Sequence, residues 1–357
     1  MYYYRLKRLL KRERTRAIEG LKNLRGQLDK EIPEKTASNH LLLATWNIRD
    51  LTKNKNRRFV ESLHFIAEVI SRFDILAIQE VNALYEWDQI MSILGKHWDY
   101  ISSDVTDRSI GGNGERLLYV FDTRKVSFQK VAGEIVLPPK LLITQKIEKE
   151  DSGEIVIKQR QFARTPYVAN FQAGWFKFSL CTVHIYYGDD GAVALERRRQ
   201  EIANIAEYFS NRADEELKRD RALILLGDFN IYSKKHGTYD ALKESDFIIP
   251  ESLQSEPTNQ SKTKYYDQIA FKSDQKVIDF IDKQCEDQKA CNSGVLNFYK
   301  SIFRDERKYT KERRGSRSSF FTWRSYQMSD HLPMWVRIDI NDSEEYLDDI
   351  LEERAIS

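Results

Sequence analysis

Three cysteines in 357 residues, Cys181, Cys285 and Cys291, are too few for a disulfide framework. An odd, low count fits a reducing compartment and argues against even the nearby pair Cys285 and Cys291 bridging. No histidine accompanies that pair, so a zinc site there is not indicated. No stretch approaches the roughly 18 apolar residues of a membrane span. The charged N-terminus is followed by no apolar h-region, which argues against a secretory signal. These absences lead us to expect a soluble, cytoplasmic protein without stable membrane insertion. Charge of one sign is also missing. With 57 Lys and Arg against 55 Asp and Glu, the formal net charge is +2. Any affinity for a polyanion must therefore come from a local surface. No internal repeat is visible.

What is present is apolar residues at 41% and charged residues at 31%, enough for a sizeable core under a densely ionic surface. Residues 1–39 stand apart. Arg5, Lys7, Arg8, Lys11, Arg12, Arg14 and Arg16 crowd the start, opposed only by Glu13. Leu6, Leu9, Leu10, Leu21, Leu24 and Leu28 recur at helical spacing, which predicts one basic amphipathic helix ending near Pro33. Its roles include docking on the domain with a solvated basic face, dimerisation, and contact with nucleic acid or another acidic surface.

From residue 40 the pattern changes to short apolar runs separated by helical segments. Buried strands are predicted at 41–46, 74–79 and 222–226, with further strands near 98–103, 116–122, 166–172, 175–184, 266–271 and 333–340. Helices are predicted near 57–70, 85–94 and 192–212. Residues 126–160 read as an excursion with a hairpin turn at Asp151-Ser152-Gly153. Residues 273–320 read as a helical insertion ending in a mobile basic loop, Arg304 to Arg317. The acidic tail 342–357 reads as a short surface helix. Together these predict an α/β (α+β) domain over 40–341, with two mostly antiparallel sheets packed face to face and helices outside, a four-layer α/β/β/α sandwich.

Polar residues follow the apolar strands at several separate places. Asn47 follows the first strand, Glu80 the second, and His184 ends Phe178-Ser179-Leu180-Cys181-Thr182-Val183. Asp228 and Asn230 follow the run at 222–226, and Asp330-His331 precede the last strand. Ligands commonly sit beyond strand ends on a rigid scaffold. Gathered there, these groups suit a divalent cation and a phosphate. Carboxylates hold magnesium or manganese, amides orient a phosphate without repelling it, and histidines move protons near neutral pH. His40, His64, His97 and His236 lack such context and read as surface or packing residues.

The ordered set Thr45-Trp46-Asn47-Ile48-Arg49, Ile78-Gln79-Glu80-Val81, Thr182-Val183-His184, Gly227-Asp228-Phe229-Asn230 and Ser329-Asp330-His331-Leu332-Pro333 resembles the endonuclease/exonuclease/phosphatase superfamily over about 41–338. Gly114-Glu115-Arg116-Leu117-Leu118-Tyr119-Val120-Phe121 and Phe162-Ala163-Arg164-Thr165-Pro166-Tyr167 are similar to the deoxyribonuclease I branch. The resemblance implies a metal-dependent phosphodiesterase using Mg2+, with Mn2+ as an alternative. It implies Glu80, Asn47 and Asp330 near the metal, and the pairs Glu115–His184 and Asp267–His331 as proton-handling dyads. It also implies Arg164 on a substrate phosphate and Asn230 on the reacting one, with Asp228 organising metal, phosphate or water. A deoxyribonuclease-like endonuclease with DNA as partner is the expected activity. The alternatives are a phosphatase or phospholipid phosphodiesterase on the same scaffold, or a non-catalytic nucleic-acid-binding homologue. One departure stands out: the neighbourhoods where secreted deoxyribonucleases carry groove-reading Arg and Tyr are here Glu80-Val81-Asn82-Ala83 and Gly111-Gly112-Asn113-Gly114-Glu115.

Overall fold

Strand β1 (His40–Leu51) explains why its apolar run is nearly continuous. Leu41 and Leu43 face one hydrophobic cluster and Leu42, Ala44 and Trp46 face another, so both sides of the strand are buried. The computed structural model of the chain describes residues 1–53, 58–106, 112–148, 155–217, 222–283, 291–313 and 318–341, with isolated positions 343, 347, 350 and 351 beyond.

β1 is central in a six-stranded sheet. It pairs in parallel with β2 (Ile75–Val81), which pairs with β4 (Arg116–Asp122) and then β3 (Trp98–Ser102). On its other side lie β13 (Met334–Asp339) and β12 (Ser293–Val295). A five-stranded sheet runs β11 (Asp267–Lys272), β10 (Ala222–Asp228), β9 (Phe176–His184), β8 (Tyr167–Ala173) and β5 (Val126–Glu134), with β9 and β10 parallel. The remaining pairs in both sheets are antiparallel. Leu43, Ala77 and Tyr119 meet Phe171, Phe178 and Leu180 between the sheets. Tyr119 crosses this layer: its hydroxyl lies 2.7 Å from Tyr167 O and accepts the Thr182 N–H at 2.8 Å.

Helices cover both outer faces, so the four-layer sandwich expected from the sequence is the observed architecture. α4 (Ala192–Leu217) lays Ile202, Ile205, Ala206 and Phe209 on the second sheet. α1 (Lys11–Glu31), α2 (Val60–Ile70) and α3 (Leu84–Leu94) cover the first. Gly20 lets α1 approach α2 closely, since a Cβ there would lie 2.5 Å from Phe65 Cζ. Each sheet thus holds one strand–helix–strand unit with parallel strands, β1–α2–β2 and β9–α4–β10. In each unit the two carboxyl ends carry the polar residues.

Several expectations need correcting. The N-terminal segment is not one helix: a 3-10 turn, Tyr4–Arg8, precedes α1, and Leu10 between them is extended and 66% exposed. Residues 126–160 are not all an excursion. β5 is an edge strand of the second sheet, and only β6 (Ile143–Glu148) and β7 (Ile155–Arg160) form a separate ribbon. The turn at Asp151-Ser152-Gly153 lies outside the described residues. Among its described residues the segment 273–320 holds one short helix (Gln275–Ile281), the edge strand β12, and turns that pack Phe298, Ile302 and Phe303 against Trp46 and Phe65. The basic stretch is anchored rather than mobile over 304–313. Tyr309 is buried beneath the Arg16 guanidinium, which also binds Glu61 and Glu312; residues 314–317 lie outside the described residues. So does most of the acidic tail, and so does Cys285. Cys291 is disulfide-bonded, against expectation, and Cys181 is a buried thiol outside any disulfide. Among the described residues no helix is long and apolar enough to cross a membrane.

The segment after α1 is held by charge. Lys35 Nζ lies 3.1 Å from Asp74 and 2.9 Å from Asp122. Burial alone would raise the Asp122 carboxyl, but hydrogen bonds from Arg124 and Lys35 outweigh it and hold it well below the usual carboxylate range. A carboxyl depressed on folding adds stability above its unfolded pKa of about 4, and that stability is lost as pH falls toward the folded value. Urea midpoints measured between pH 6 and pH 2.5 are therefore expected to fall less steeply for Asp122→Asn than for the parent. Parallel curves would contradict the assignment.

Candidate active site

Regular pairing of β1 with β2 stops at Asn47, where the register shifts before resuming at Leu51. In this interval Arg49 and Asp50 have φ of 48° and 47°, and Thr52 follows at 64°. Glu80 on β2 is also left-handed, at 63°. Such conformations are costly away from glycine and gather where a structure must aim particular groups. Here they turn the Asp50 N–H onto Glu80 Oε2 at 2.7 Å. Asn47 Nδ2 donates to Glu80 Oε1 at 2.8 Å and to Asp228 Oδ2 at 2.9 Å, joining the first sheet to the second.

The second sheet supplies its residues by register. His184 and Asp228, the last residues of β9 and β10, are partners in the parallel ladder, and Asp267, the first of β11, is opposite Asp228. Gly227 makes this close approach possible. Its φ is 134°, and a Cβ there would lie 2.2 Å from Val183 O. The glycine of Gly227-Asp228-Phe229-Asn230 therefore has a steric cause.

Two carboxylate–imidazole pairs result. Glu115, at the entry to β4, binds His184 Nδ1, leaving Nε2 at 3.5 Å from Asp228 Oδ2 and 3.9 Å from Glu80 Oε1. Asp267 Oδ2 lies 2.8 Å from His331 Nδ1, leaving that Nε2 at 3.7 Å from the same Asp228 oxygen. Burial alone would lower both imidazole pKa values. Glu115 and Asp228 reverse this for His184 despite opposition from Arg164, and Asp267 with Asp228 raises His331 well above the usual histidine range. Glu80 is shifted up, first by burial and also by Glu115 and Asp50, while His184 opposes the shift. Buried carboxylates thus converge here beyond what the imidazoles and Asn47 neutralise.

That excess is what a dication would offset. Single donor atoms of Glu80, His184 and Asp228 lie within 4.8 Å of one another, as do those of Asp228, Asp267 and His331. Because each imidazole already uses Nδ1 on a carboxylate, the oxygens of Glu80 and Asp228 are the donors that best fit a hard divalent cation. Asn47 presents its NH2 to them, and its Oδ1 accepts the Arg49 N–H at 2.9 Å, so it bridges the two carboxylates.

Not all of the sequence candidates meet at this centre. Asp330 turns aside: it pairs with Arg49 at 3.0 Å, its side chain is 41% exposed, and it belongs to neither donor group. Arg164 is buried, with Nε 3.1 Å from Glu115 Oε1, so it backs the first dyad from inside. Asn230 is left-handed, its N–H bound to Asp228 Oδ1 and its Nδ2 to Ile185 O. Sequence reasoning missed Arg198, a fully buried arginine on α4. It donates to the carbonyls of Tyr186, Tyr187, Asp189 and Asn230, tying together the loops after β9 and β10. Its only signal was an arginine on the helix face that must meet the sheet. Also missed were Tyr266, stacked on His331 with centroids 5.3 Å apart, and Ser329, whose hydroxyl links Asn47 O to the His331 N–H.

The chain belongs to the Endonuclease/Exonuclease/phosphatase family, whose model matches residues 44–331. It is accordingly a phosphoester hydrolase of a divalent-metal-dependent family. No curated protein matches the sequence. Among solved structures, a mannosyl-6-phosphatase of Bacteroides thetaiotaomicron VPI-5482 is 18% identical with a TM-score of 0.48, covering 83% of this chain and 98% of that one. The human Nocturnin catalytic domain with bound sulfate is 12% identical with a TM-score of 0.49, covering 87% and 97%. D. rerio TDP2 complexed with a single strand DNA product is 11% identical with a TM-score of 0.49, covering 84% and 98%.

Proposed function

We propose that this enzyme is a Mg2+- or Mn2+-dependent endonuclease, with DNA the expected substrate, cleaving phosphodiesters by two-histidine general acid–base catalysis. One observation carries the reading. Two carboxylate-backed imidazoles direct their Nε2 atoms at one carboxylate oxygen, Asp228 Oδ2, from 3.5 and 3.7 Å. A phosphodiester needs both halves of this arrangement, a base for the attacking water and an acid for an alkoxide leaving group. One imidazole takes the proton from water and the other delivers one to the leaving oxygen, while each Nδ1 stays anchored to its carboxylate. Asp228 orients both rings, and Asn230 would hydrogen-bond the reacting phosphate through the amide hydrogen that Ile185 O does not take. Glu80 and Asp228, with Asn47 between them, would hold the cation, which when bound stabilises charge developing on the phosphoryl oxygens. Arg164 holds Glu115 in place.

The test is a panel of plasmid DNA, single-stranded DNA, RNA, inositol phosphates and sphingomyelin, each with magnesium, manganese or chelator. Metal-dependent nicking or internal cleavage of DNA that weakens steeply between 50 and 200 mM salt is expected, because phosphate contacts dominate binding. Turnover confined to inositol phosphates or sphingomyelin would replace the nuclease reading by the alternative one.

A further inference from the structure

We propose that Lys264 is a substrate-recognition residue that takes a second phosphate, next to the one being cleaved, so that the enzyme selects a polyanionic phosphodiester chain over an isolated ester. The inference rests on the nuclease reading above. It starts from how β10 and β11 continue past the catalytic residues. Beyond the Asp228–Asp267 pair the two chains stay joined: the Phe229 N–H bonds Tyr266 O at 2.8 Å and the Tyr265 N–H bonds Ile231 O at 3.2 Å. Asn230 and Asp267 therefore stand at the base of a short two-chain extension that carries Tyr232 and Lys264 further out.

The base of Lys264 is fixed by the loop that also fixes the catalytic dyad. Its N–H donates to Asn259 Oδ1 at 2.8 Å, and its carbonyl accepts the Thr258 N–H at 2.8 Å. Thr258 in turn accepts the Asp267 N–H on its hydroxyl at 3.0 Å and the Leu332 N–H on its carbonyl at 2.7 Å. The ammonium end lies 3.2 Å from the centre of the Tyr232 ring. That ring is itself held. Tyr187 stacks on it with centroids 6.3 Å apart and joins it hydroxyl to hydroxyl at 2.9 Å, Asp190 accepts its hydroxyl at 3.1 Å, and the Arg198 guanidinium lies 5.9 Å from its centre. Tyr232 then meets Tyr266 edge-on at 5.9 Å, and Tyr266 stacks on His331. A continuous row of rings thus connects the ammonium to the imidazole.

The chemical point is the kind of partner Lys264 has. Among the described residues no ion pair involves it, although the neighbouring centre is rich in carboxylates. An aromatic face orients an ammonium without cancelling its charge, which leaves it available to an anion. A simple phosphate ester has one anionic group, and the centre already accounts for that one. A nucleic-acid strand brings a further phosphate on each side. A cation oriented on an aromatic face, two rings out from His331, fits one of these flanking groups.

The experiment compares the parent enzyme, Lys264→Ala and Lys264→Arg on a single-stranded oligonucleotide and on bis(p-nitrophenyl) phosphate, which carries only the scissile phosphate. Loss of one charge-assisted contact should raise KM for the oligonucleotide by about tenfold in Lys264→Ala, with kcat within about twofold. The slope of log(kcat/KM) against log salt should become shallower by about 0.7, the share of one phosphate contact on a single strand. Lys264→Arg should restore most of both, and the loss on the small diester should be at least about fivefold smaller. Equal losses on the two substrates, an unchanged salt slope, or failure of arginine to rescue would each overturn the role of Lys264 while leaving the nuclease reading intact. A parent enzyme that hydrolyses the small diester but no oligonucleotide would overturn the nuclease reading, and this proposal with it.

Discussion

His331→Asn is expected to lower kcat by about 10²–10⁴-fold while the protein still folds. The size follows from the place of the ring. Its Nδ1 is taken by Asp267 at 2.8 Å and its Nε2 faces Asp228, so the side chain is held as one half of a proton relay and contributes little to the hydrophobic core. Asparagine can still donate a hydrogen bond to Asp267 but cannot carry a proton to or from the reaction. The variant leaves Asp267 buried and short of a cationic partner. Its carboxyl is already shifted up, first by burial and also by Asp228, with His331 opposing the shift, so protonation offers it an alternative to an unpaired charge. Folding is checked by circular dichroism and thermal melting. The companion variant Asp267→Asn should also slow turnover. Because the two residues act as a unit, the double variant should be little worse than His331→Asn alone. Near-normal turnover in a folded His331→Asn enzyme would remove the second dyad from the mechanism, and strictly multiplicative losses would show that the two side chains work independently.

The layers of the fold were legible because both sheets are buried on both faces. Runs such as Leu41 to Thr45 and Ala222 to Leu226 could not be solvent-facing strands, and the polar residues immediately after them had to lie at an edge. Site residues at strand ends could be read for the same reason: His184, Asp228 and Asp267 are placed by ladder register, which follows the chain, and Glu80 stands one residue past the last regular β1–β2 pair, Asn47–Gln79. Groups placed by tertiary contacts left weaker traces. Arg198 looks like any other arginine in Arg197-Arg198-Arg199 until the helix is docked and four backbone carbonyls close around it. The orientation of Arg164 toward Glu115, and of Asp330 toward Arg49, depends on which charged neighbour comes within reach, and nothing in a local motif specifies that. Residues 298–313 misled periodicity altogether. Their aromatic side chains are buried from turns rather than from a helix, packing against α1, α2 and Trp46, so no period of 3.6 or 2 is imposed on them. The N-terminal leucines misled it differently: Leu6 is buried from the 3-10 turn and Leu21, Leu24 and Leu28 from α1, while Leu10, at the bend, faces solvent.

Glu80→Gln separates the cost of assembling this site from its use. In the metal-free parent, burial and the proximity of Glu115 and Asp50 disfavour the charged form of Glu80, with His184 giving partial relief. Glutamine keeps the shape and an oxygen for the Asn47 NH2 while removing the charge. The metal-free variant should therefore melt at or above the parent temperature, as expected when a functional carboxylate is held at a cost to the fold. Adding Mg2+ or Mn2+ should reverse the order. A ligand present at 100 times its Kd stabilises the native state by about 2.7 kcal/mol, which for a domain of this size is a rise of about 4 °C. The parent should show that rise, and Glu80→Gln should show less than about a quarter of it, because only Asp228 remains of the two oxygen donors that Asn47 bridges. Activity should fall by about 10³-fold, in the range lost when electrostatic stabilisation of a transition state is removed. The melting curves decide the matter without any substrate. A metal-induced rise as large in the variant as in the parent would place the cation elsewhere. A metal-free variant less stable than the parent would show that the Asp50 N–H, now facing an amide, had been contributing more than the carboxylate cost.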